Sequence, residues 1–260
     1  MQLKDVAAIV TGAASGLGEA TARRLAREGA RVAVFDMYRE GGERVAGEIG
    51  GVFCETDVAD EASVDRALAQ ARGAHGQERV LVNCAGIVHV QRTAARKRDS
   101  NEILPHAFPG FVRTVMVNLV GSFHMAAKSA AGMMALEPAT ADGGRGVIVH
   151  TSSVAAEDGQ IGQIAYAASK GGIASITLPM ARDLARDGIR VVSIMPGLFH
   201  TPMFDALPAE AQQALAASVP FPSRLGRPEE YAALVQHICE NDMLNGCTIR
   251  LDGAIRLAPR

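Results

Sequence analysis

The chain has 260 residues, 48% of them hydrophobic, which is enough to bury one large core. We therefore expect one domain that spans residues 1–260, rather than two. With a net charge of −2, the chain has no general attraction for nucleic acid or for anionic membranes, so neither is an expected partner.

The cysteines and histidines lack the spacing of a metal site. Cys54, Cys84, Cys239 and Cys247 form no C-x-x-C pair, and the histidines form no HExxH motif, so we expect reduced thiols and no bound metal. The first strand pattern begins within a few residues of Met1, which leaves no room for a transit peptide, and no apolar run approaches about 18 residues. The expected location is therefore the cytoplasm.

A glycine-rich turn joins the first predicted strand, residues 7–10, to a helix that ends near residue 28. Glycines let the backbone turn tightly and approach a pyrophosphate, whose charge the helix N-terminus stabilises. Strand, turn and helix in this order predict a dinucleotide site. The turn residues expected at the cofactor are Gly12, Ser15, Gly16, Leu17 and Gly18.

An acidic residue, Asp36, ends the second predicted strand, residues 31–35. A carboxylate here can accept hydrogen bonds from the adenosine ribose and would repel the 2′-phosphate of NADP. Neither Ser15 nor Met37 supplies the cation that NADP needs, so NAD is favoured, although Arg39 is a cation nearby. The alternative is that Asp36 only caps the next helix.

The third and fourth predicted strands, residues 52–54 and 80–82, are also followed by candidate cofactor contacts. Asp57 could cap the next helix, bind the adenine amine, or do both. Small residues after the fourth strand permit close approach to a flat ligand. The candidates in these two segments are Asp57, Val58, Asn83, Ala85 and Gly86.

The segment from residue 91 to 110 is polar and long for a loop inside a compact domain. It carries Arg92, Arg96, Lys97 and Arg98 against Asp99 and Glu102. It is either a solvated basic loop or an anchor for a phosphate-bearing substrate such as coenzyme A. A long helix is predicted after it, over residues 111–136, with Asn118 inside although asparagine is a poor helix former.

Residues 146–172 hold the main catalytic candidates. A strand over residues 147–149 ends in the hydroxyls of Thr151, Ser152 and Ser153, which we expect to face a crevice. Tyr166 and Lys170 lie four apart on one face of the following helix. A free phenol has a pKa of about 10, and bringing it near 7 needs about 4 kcal/mol of preference for phenolate. A nearby ammonium, helped by a cationic nicotinamide ring in a partly desolvated pocket, has the right size and sign to supply it.

The last part of the chain continues the alternation of strands and helices. A strand over residues 190–195 ends in Pro196 and Gly197, with Thr201 close behind, and residues 201–226 form an apolar segment that is either a substrate lid or a packed surface helix. A helix from Pro228 and a strand over residues 248–251 follow. The whole pattern predicts a Rossmann-type doubly wound parallel sheet of about seven strands with helices on both faces.

These residues resemble the short-chain dehydrogenases/reductases from end to end. The family's Thr-Gly-x-x-x-Gly-x-Gly motif matches Thr11, Gly12, Gly16 and Gly18, and its Asn-Asn-Ala-Gly motif appears as Asn83, Cys84, Ala85 and Gly86, with the second asparagine lost. The resemblance places the family's catalytic residues at Asn118, Ser153, Tyr166 and Lys170. It places the nicotinamide carboxamide at Pro196, Gly197 and Thr201, and divides the domain into a cofactor half, about 1–145, and a catalytic half, about 146–260.

Four further segments look most similar to the type II 3-hydroxyacyl-CoA dehydrogenases, also called 17β-hydroxysteroid dehydrogenases type 10; they are residues 159–163, 178–184, 220–226 and 251–256. This resemblance implies an NAD-dependent oxidoreductase acting on 3-hydroxyacyl-CoA and on hydroxysteroids. It also implies a homotetramer, with the Tyr166 helix and the 111–136 helix at one interface.

The resemblance assigns a role to each catalytic candidate. Tyr166 takes the hydroxyl proton, Ser153 orients the reacting oxygen, Lys170 lowers the tyrosine pKa and holds the nicotinamide ribose, and Asn118 supports a water that links Lys170 to solvent. Two alternatives remain: a 3-oxoacyl-(acyl-carrier-protein) reductase, against which Asp36 counts because such reductases usually use NADPH, and a non-catalytic nucleotide-binding scaffold.

Overall fold

The computed structural model describes residues 1–97, 99–205 and 209–259. Its strands, in chain order, are β1 (Ala7–Thr11), β2 (Arg31–Asp36), β3 (Val52–Glu55), β4 (Val80–Asn83), β5 (Ala94–Arg96), β6 (Ile103–Pro105), β7 (Gly146–Thr151), β8 (Ile189–Pro196) and β9 (Thr248–Leu251). Its α-helices are α1 (Gly16–Arg27), α2 (Arg39–Ile49), α3 (Glu61–His75), α4 (Phe108–Val115), α5 (Ser122–Met134), α6 (Ile164–Asp183), α7 (Pro202–Asp205), α8 (Ala209–Ala217) and α9 (Pro228–Glu240). A π-helical turn, Met116–Gly121, and two 3₁₀ turns, Val154–Ala156 and Ala185–Asp187, complete the list.

Seven of these strands form one sheet in the order β3-β2-β1-β4-β7-β8-β9. Every neighbouring pair is parallel. The Rossmann-type sheet predicted from the sequence is therefore confirmed. Both predicted halves of the chain contribute strands to it, and the division into cofactor and catalytic halves stays a prediction.

The sheet is buried on both faces, because helices cover each of them. Successive side chains of a strand point to opposite faces and so enter two different cores. Val10 and Val82 belong to a core cluster with side chains of α1 and α9. Ile9 and Leu81, one position earlier on the same strands, belong to a second cluster with side chains of α3 and α5. Continuous β-branched and aliphatic runs in β1, β4 and β7 are what a strand between two helical layers requires.

The strand order creates a crevice at the carboxyl edge of the sheet. The chain runs outward from β1 to β2 and β3, and then returns to the other side of β1 with β4. The loops after β1 and β4 therefore leave in different directions and open a gap between them, where open parallel sheets bind ligands.

The helix predicted over residues 111–136 differs from a regular α-helix. It begins earlier, at Phe108, and runs through α4, the π-helical turn and α5 without a break. Asn118 lies in the π-helical turn and is buried there. Such turns occur frequently at functional sites.

Of the two roles left open for Asp57, capping of the third helix is not observed. α3 begins at Glu61, and its cap is Asp60, whose carboxylate accepts a hydrogen bond from the Ala62 amide at 3.2 Å. Asp57 lies in the turn before, where its carboxylate accepts a hydrogen bond from the Ala59 amide at 2.9 Å. Capping therefore does not use Asp57, and the predicted contact with adenine remains for it.

Two surface segments have more structure than the sequence predicted. The polar segment 91–110 contains an antiparallel hairpin of β5 and β6. Within the segment 201–226, α7 and α8 flank residues 206–208, which lie outside the described part of the chain; Val219 is buried, whereas Phe221 is exposed. The choice between a lid and a packed surface helix stays open. None of the described helices is both long and apolar enough to cross a membrane.

Candidate active site

A cleft with a cavity volume of about 400 Å³ opens at the carboxyl ends of the central strands. It brings together most of the residues predicted from the sequence. These are Gly12, Ser15, Gly16, Leu17, Gly18, Asp36, Asp57, Val58, Ala85, Gly86, Ser153, Tyr166, Lys170, Pro196, Gly197 and Thr201. Asn83 and Asn118 are the two candidates that do not line it.

The glycine turn after β1 has no space for larger residues. Gly12 has φ +65°, and a Cβ added there would lie 2.7 Å from the Ala85 amide nitrogen. A Cβ on Gly18 would lie 2.1 Å from the Gly12 carbonyl oxygen. The turn therefore packs backbone against backbone, which leaves the N-terminus of α1 open to the cleft.

Asp36 is fixed at the end of β2 by two backbone amides. One carboxylate oxygen accepts a hydrogen bond from Ala14 and the other from Tyr38, both at 2.9 Å. Each oxygen keeps a lone pair that can face the cleft. The carboxylate is thus held in place as an acceptor rather than serving as a helix cap, because the cap position of α2 is Tyr38.

Asn83 ends β4, but its side chain lies in the core. Its amide donates to the Ser122 carbonyl oxygen at 3.3 Å and lies 3.2 Å from Nδ1 of His150. Only 2% of the residue is exposed. Asn83 therefore positions the strand end, and the expected contact with the cofactor does not come from its side chain.

Asn118 is fully buried behind the cleft, on the π-helical turn. Its Oδ1 accepts a hydrogen bond from the Ile87 amide at 2.8 Å, and its Nδ2 donates to the Ile87 carbonyl at 2.9 Å and to Ser169 Oγ at 3.0 Å. A Cβ added to Gly86 would lie 3.3 Å from Asn118 Oδ1 and 3.5 Å from Lys170 Nζ. Asn118 and Lys170 therefore approach the same point from two helices.

Ser153, Tyr166 and Lys170 meet at the end of β7 and the start of α6. Ser153 and Tyr166 both line the cleft, one from the end of the strand and the other from the helix. Lys170 Nζ lies 5.8 Å from the centre of the Tyr166 ring and donates to the Thr151 carbonyl oxygen at 2.7 Å. The serine hydroxyl, the phenol and the ammonium thus lie side by side at one end of the cleft.

Burial controls the acidity of the two titratable groups. Desolvation raises the pKa of Tyr166, and the hydrogen bond with Ser153 opposes this rise. Desolvation also lowers the pKa of Lys170 to about 8. Without a nucleotide, burial therefore holds the pKa of Tyr166 above its ordinary value, and the expected lowering with a cationic nicotinamide beside it stays a prediction.

A buried hydroxyl pair behind the site was not found from the sequence. The Thr151 hydroxyl lies 2.6 Å from the Asn83 carbonyl oxygen and 2.7 Å from the hydroxyl of Tyr231, a fully buried residue of α9. The Thr151 hydroxyl is therefore bonded within the core although the residue lines the cleft, whereas we expected the hydroxyls of residues 151–153 to face the crevice. Because its carbonyl holds Lys170, these contacts fix the lysine, and no sequence signal pointed to Tyr231.

Of the basic residues of the β5–β6 hairpin, the three that the structure describes lie on the surface and do not line the cleft. Lys97 forms an ion pair with Glu102 at 3.0 Å, and Arg96 donates to the Asn101 carbonyl at 3.1 Å. Arg92 is exposed. Arg98 lies outside the described residues. The structure thus leaves both accounts of this segment open.

Comparison with known proteins gives the class of this one. The family model for short chain dehydrogenases matches residues 6–212. A human protein named 3-hydroxyacyl-CoA dehydrogenase type-2 is 50% identical over 259 residues, which are 99% of this chain and 97% of the human one. The chain belongs to the short-chain dehydrogenase family, as its motifs predicted, and it is an oxidoreductase.

Two solved structures are similar over nearly the whole chain. A 3-hydroxyacyl-CoA dehydrogenase type-2 from Mycobacterium avium has a TM-score of 0.91 at 40% identity, covering 98% of each chain. A 3-ketoacyl-(acyl-carrier-protein) reductase from Brucella melitensis, complexed with NADH, has a TM-score of 0.84 at 31% identity, covering 98% of this chain and 100% of the other. The human and mycobacterial relatives carry the same name, whereas the Brucella relative, at lower identity, does not.

Proposed function

We propose that this protein is an NAD-dependent dehydrogenase that interconverts 3-hydroxyacyl-CoA and 3-oxoacyl-CoA, with hydroxysteroids as a second substrate class. The observation that carries the proposal is the arrangement of Ser153, Tyr166 and Lys170 at one end of a cleft whose other end holds the glycine turn and Asp36. The substrate class is supported by the shared name of the human and mycobacterial relatives.

The cleft fits a dinucleotide in three respects. The glycine turn leaves the N-terminus of α1 free for a pyrophosphate. Asp36 offers acceptor oxygens for ribose hydroxyls, and Pro196, Gly197 and Thr201 line the end near Tyr166. When bound, the nicotinamide would supply the acceptor for the hydride.

The residues of the chain handle the proton and the position of the substrate. In oxidation, Tyr166 takes the hydroxyl proton as general base, and Ser153, which lines the same cleft, orients the reacting oxygen. Lys170, with a pKa of about 8, keeps most of its charge at neutral pH, and this charge together with that of a bound nicotinamide would favour the phenolate. Asn118 fixes the backbone at Ile87 and the Ser169 hydroxyl, and we assign it the support of a water between Lys170 and solvent.

The preference for NAD over NADP rests on Asp36. Its carboxylate is held at the end of β2 and would repel a 2′-phosphate. Replacing it by alanine should relax the preference. Selection for NADP by the native protein would contradict this part of the proposal.

The second candidate function is reduction of a 3-oxoacyl group on acyl-carrier protein. The Brucella relative favours it, because that relative is named as such a reductase. Since it is complexed with NADH, the type of cofactor does not separate the two functions. The substrate carrier does separate them. We favour coenzyme A because the human and mycobacterial relatives, at 50% and 40% sequence identity, are named as 3-hydroxyacyl-CoA dehydrogenases, whereas the Brucella reductase is 31% identical. A scaffold without activity is the weakest candidate, because the catalytic side chains are assembled.

We also propose a homotetramer in which helices α4, α5 and α6 pack against a second copy. Phe108 is 75% exposed and Phe123 is 51% exposed on the α4–α5 side, and Ile164 and Leu178 are exposed on α6. On α6, Gly172 faces Leu119 of the same chain, whereas a Cβ on Gly171 would meet nothing within 4 Å. Gly171 therefore leaves room for close approach by another chain.

A cytoplasmic location is part of the proposal. All four cysteines are free, two of them buried and two partly buried, and none is placed in a disulfide. Unpaired thiols are usual in reducing compartments. Fractionation of the source cells with an antibody to the protein would test this location.

The experiment that tests the function compares carriers and cofactors in one assay. Purified protein is supplied with acetoacetyl-CoA or acetoacetyl-acyl-carrier protein, each with NADH or NADPH, and initial rates give kcat/KM. We expect the highest value for acetoacetyl-CoA with NADH. A higher value for the acyl-carrier protein would favour the second candidate, and no turnover with any pair would contradict both.

A further inference from the structure

Arg39 is held by two carboxylates beside the adenosine end of the cleft. It is the first residue of α2, and its guanidinium forms an ion pair with Glu43 of the same helix at 3.2 Å. Its other terminal nitrogen pairs with Glu55, the last residue of β3. Both carboxylates therefore face the same arginine from two elements.

This ion-pair cluster adjoins the candidate cofactor cleft. A second cavity of about 450 Å³ is lined by Arg39 and Glu55, and it shares Met37 and Asp57 with the main cleft. In the sheet, Glu55 lies directly beside Asp36. The arginine is thus next to the carboxylate that we expect to contact the adenosine ribose.

The charges around the second cavity decide how this region treats an anion. Asp57 and Glu55 line it, and Arg39 and Arg66 are the cations that line it. An arginine without partners would attract a phosphate strongly, because its planar group binds phosphate oxygens in pairs. The two carboxylates on Arg39 weaken that attraction, because they occupy its guanidinium before any ligand arrives.

We propose that Glu55 and Glu43 are specificity-determining residues that hold Arg39 and so prevent it from binding the 2′-phosphate of an NADP-type nucleotide. Asp36 excludes that phosphate by direct repulsion, whereas the two glutamates act through the arginine. This inference rests on the proposed use of the cleft for NAD. It explains why a cation three positions after Asp36 does not convert the site to NADP.

Binding of two small nucleotides, without turnover, tests the inference. Adenosine 5′-monophosphate and adenosine 2′,5′-bisphosphate differ only in the 2′-phosphate, and their dissociation constants are measured by competition against labelled adenosine monophosphate. The variants are Glu55→Gln, Glu43→Gln, Arg39→Ala and the double variant Glu55→Gln/Arg39→Ala. Glu48→Gln is the matched control, since Glu48 lies on the same helix but pairs with Arg23 and Arg44 and lines neither cavity.

Glu55→Gln should bind the bisphosphate up to about fivefold more tightly, the upper limit expected from releasing one exposed ion pair, and should bind the monophosphate as before. Glu43→Gln should have a smaller effect in the same direction. The gain should disappear in the double variant and shrink with added salt. Glu48→Gln should leave the ratio of the two constants unchanged.

Three results would overturn the inference. One is an unchanged ratio in Glu55→Gln, and another is an equal gain in Glu48→Gln. The third is a gain in affinity for the bisphosphate from Glu55→Gln that persists in the double variant with Arg39→Ala, because Glu55 would then act only by its own charge. A wild-type protein that binds neither nucleotide would instead contradict the proposed cofactor cleft, so failure of that proposal is distinguishable.

Discussion

His150 should make the protein lose stability as the pH falls from neutral to about 4. This histidine lies on β7 with no exposed surface, and burial, with the charge of Lys170, lowers its pKa from 6.5 to about 4. Between these two values the unfolded chain binds a proton on this imidazole that the folded chain does not bind. The free energy of unfolding must therefore decrease as the pH is lowered through this window.

The size of the loss follows from the two pKa values. Each pKa unit corresponds to about 1.4 kcal/mol, so the contribution that is present above pH 6.5 and lost by about pH 4 is about 3 kcal/mol. Within the window, the slope from this one group approaches about 1.4 kcal/mol per pH unit. Lys170 does not contribute here, because its pKa of about 8 affects stability at alkaline pH.

Urea unfolding of the wild type and of His150→Asn, at one protein concentration and at a series of pH values from 7 to 4, measures this contribution. His150→Asn should be less stable at pH 7, because ring packing is lost, but its stability should fall less steeply toward pH 4. Ser129→Ala is the control, since it alters a fully buried side chain that does not titrate and should keep the wild-type slope. Equal slopes for the wild type and His150→Asn would refute the reasoning.

Three further outcomes follow from the structure. Gly18→Ala should abolish binding of adenosine monophosphate, because the new methyl would lie 2.1 Å from the Gly12 carbonyl oxygen. Calorimetric titration measures this binding, and an affinity equal to that of the wild type would contradict the described turn. If the β5–β6 hairpin anchors the phosphates of coenzyme A, neutralising Arg92, Arg96 and Lys97 with glutamine should raise KM for acetoacetyl-CoA about tenfold, at about 0.2–1 kcal/mol for each exposed charge, and leave a small uncharged alcohol unaffected. Equal losses would make the hairpin a pocket-shaping element, and no change with either substrate would make it a solvated surface loop. Light scattering should give a tetramer mass that Phe123→Asp reduces, and a strictly monomeric wild type would refute the proposed interface.

The sheet and the glycine turn could be predicted because their signals are local. The alternation of Ile9 and Val10 between two core clusters is an expected consequence of apolar strands covered by helices on both faces. Gly12 and Gly18 were recognisable because a strand, a turn and a helix follow one another in sequence. These features depend on neighbouring residues and not on distant ones.

The features that were missed depend on contacts between distant parts of the chain. The π-helical turn at Asn118 accompanies hydrogen bonds to Ile87 and Ser169, which no helix propensity can reveal. Tyr231 reaches Thr151 across the sheet, 80 positions away in sequence. The sequence left open whether Asp57 caps the third helix, because it is an acid just before that helix, and only the backbone geometry shows that Asp60 is the cap.

The measurement that tests the account most directly is turnover and NAD binding by Tyr166→Phe. The substitution keeps the ring and removes the hydroxyl that accepts the proton, so kcat for 3-hydroxybutyryl-CoA should fall by about 10²–10⁴-fold. Calorimetric titration should give a dissociation constant for NAD close to that of the wild type. A pure Tyr166→Phe preparation that retains substantial turnover would contradict the assignment of Tyr166 as the general base, and with it the proposed mechanism.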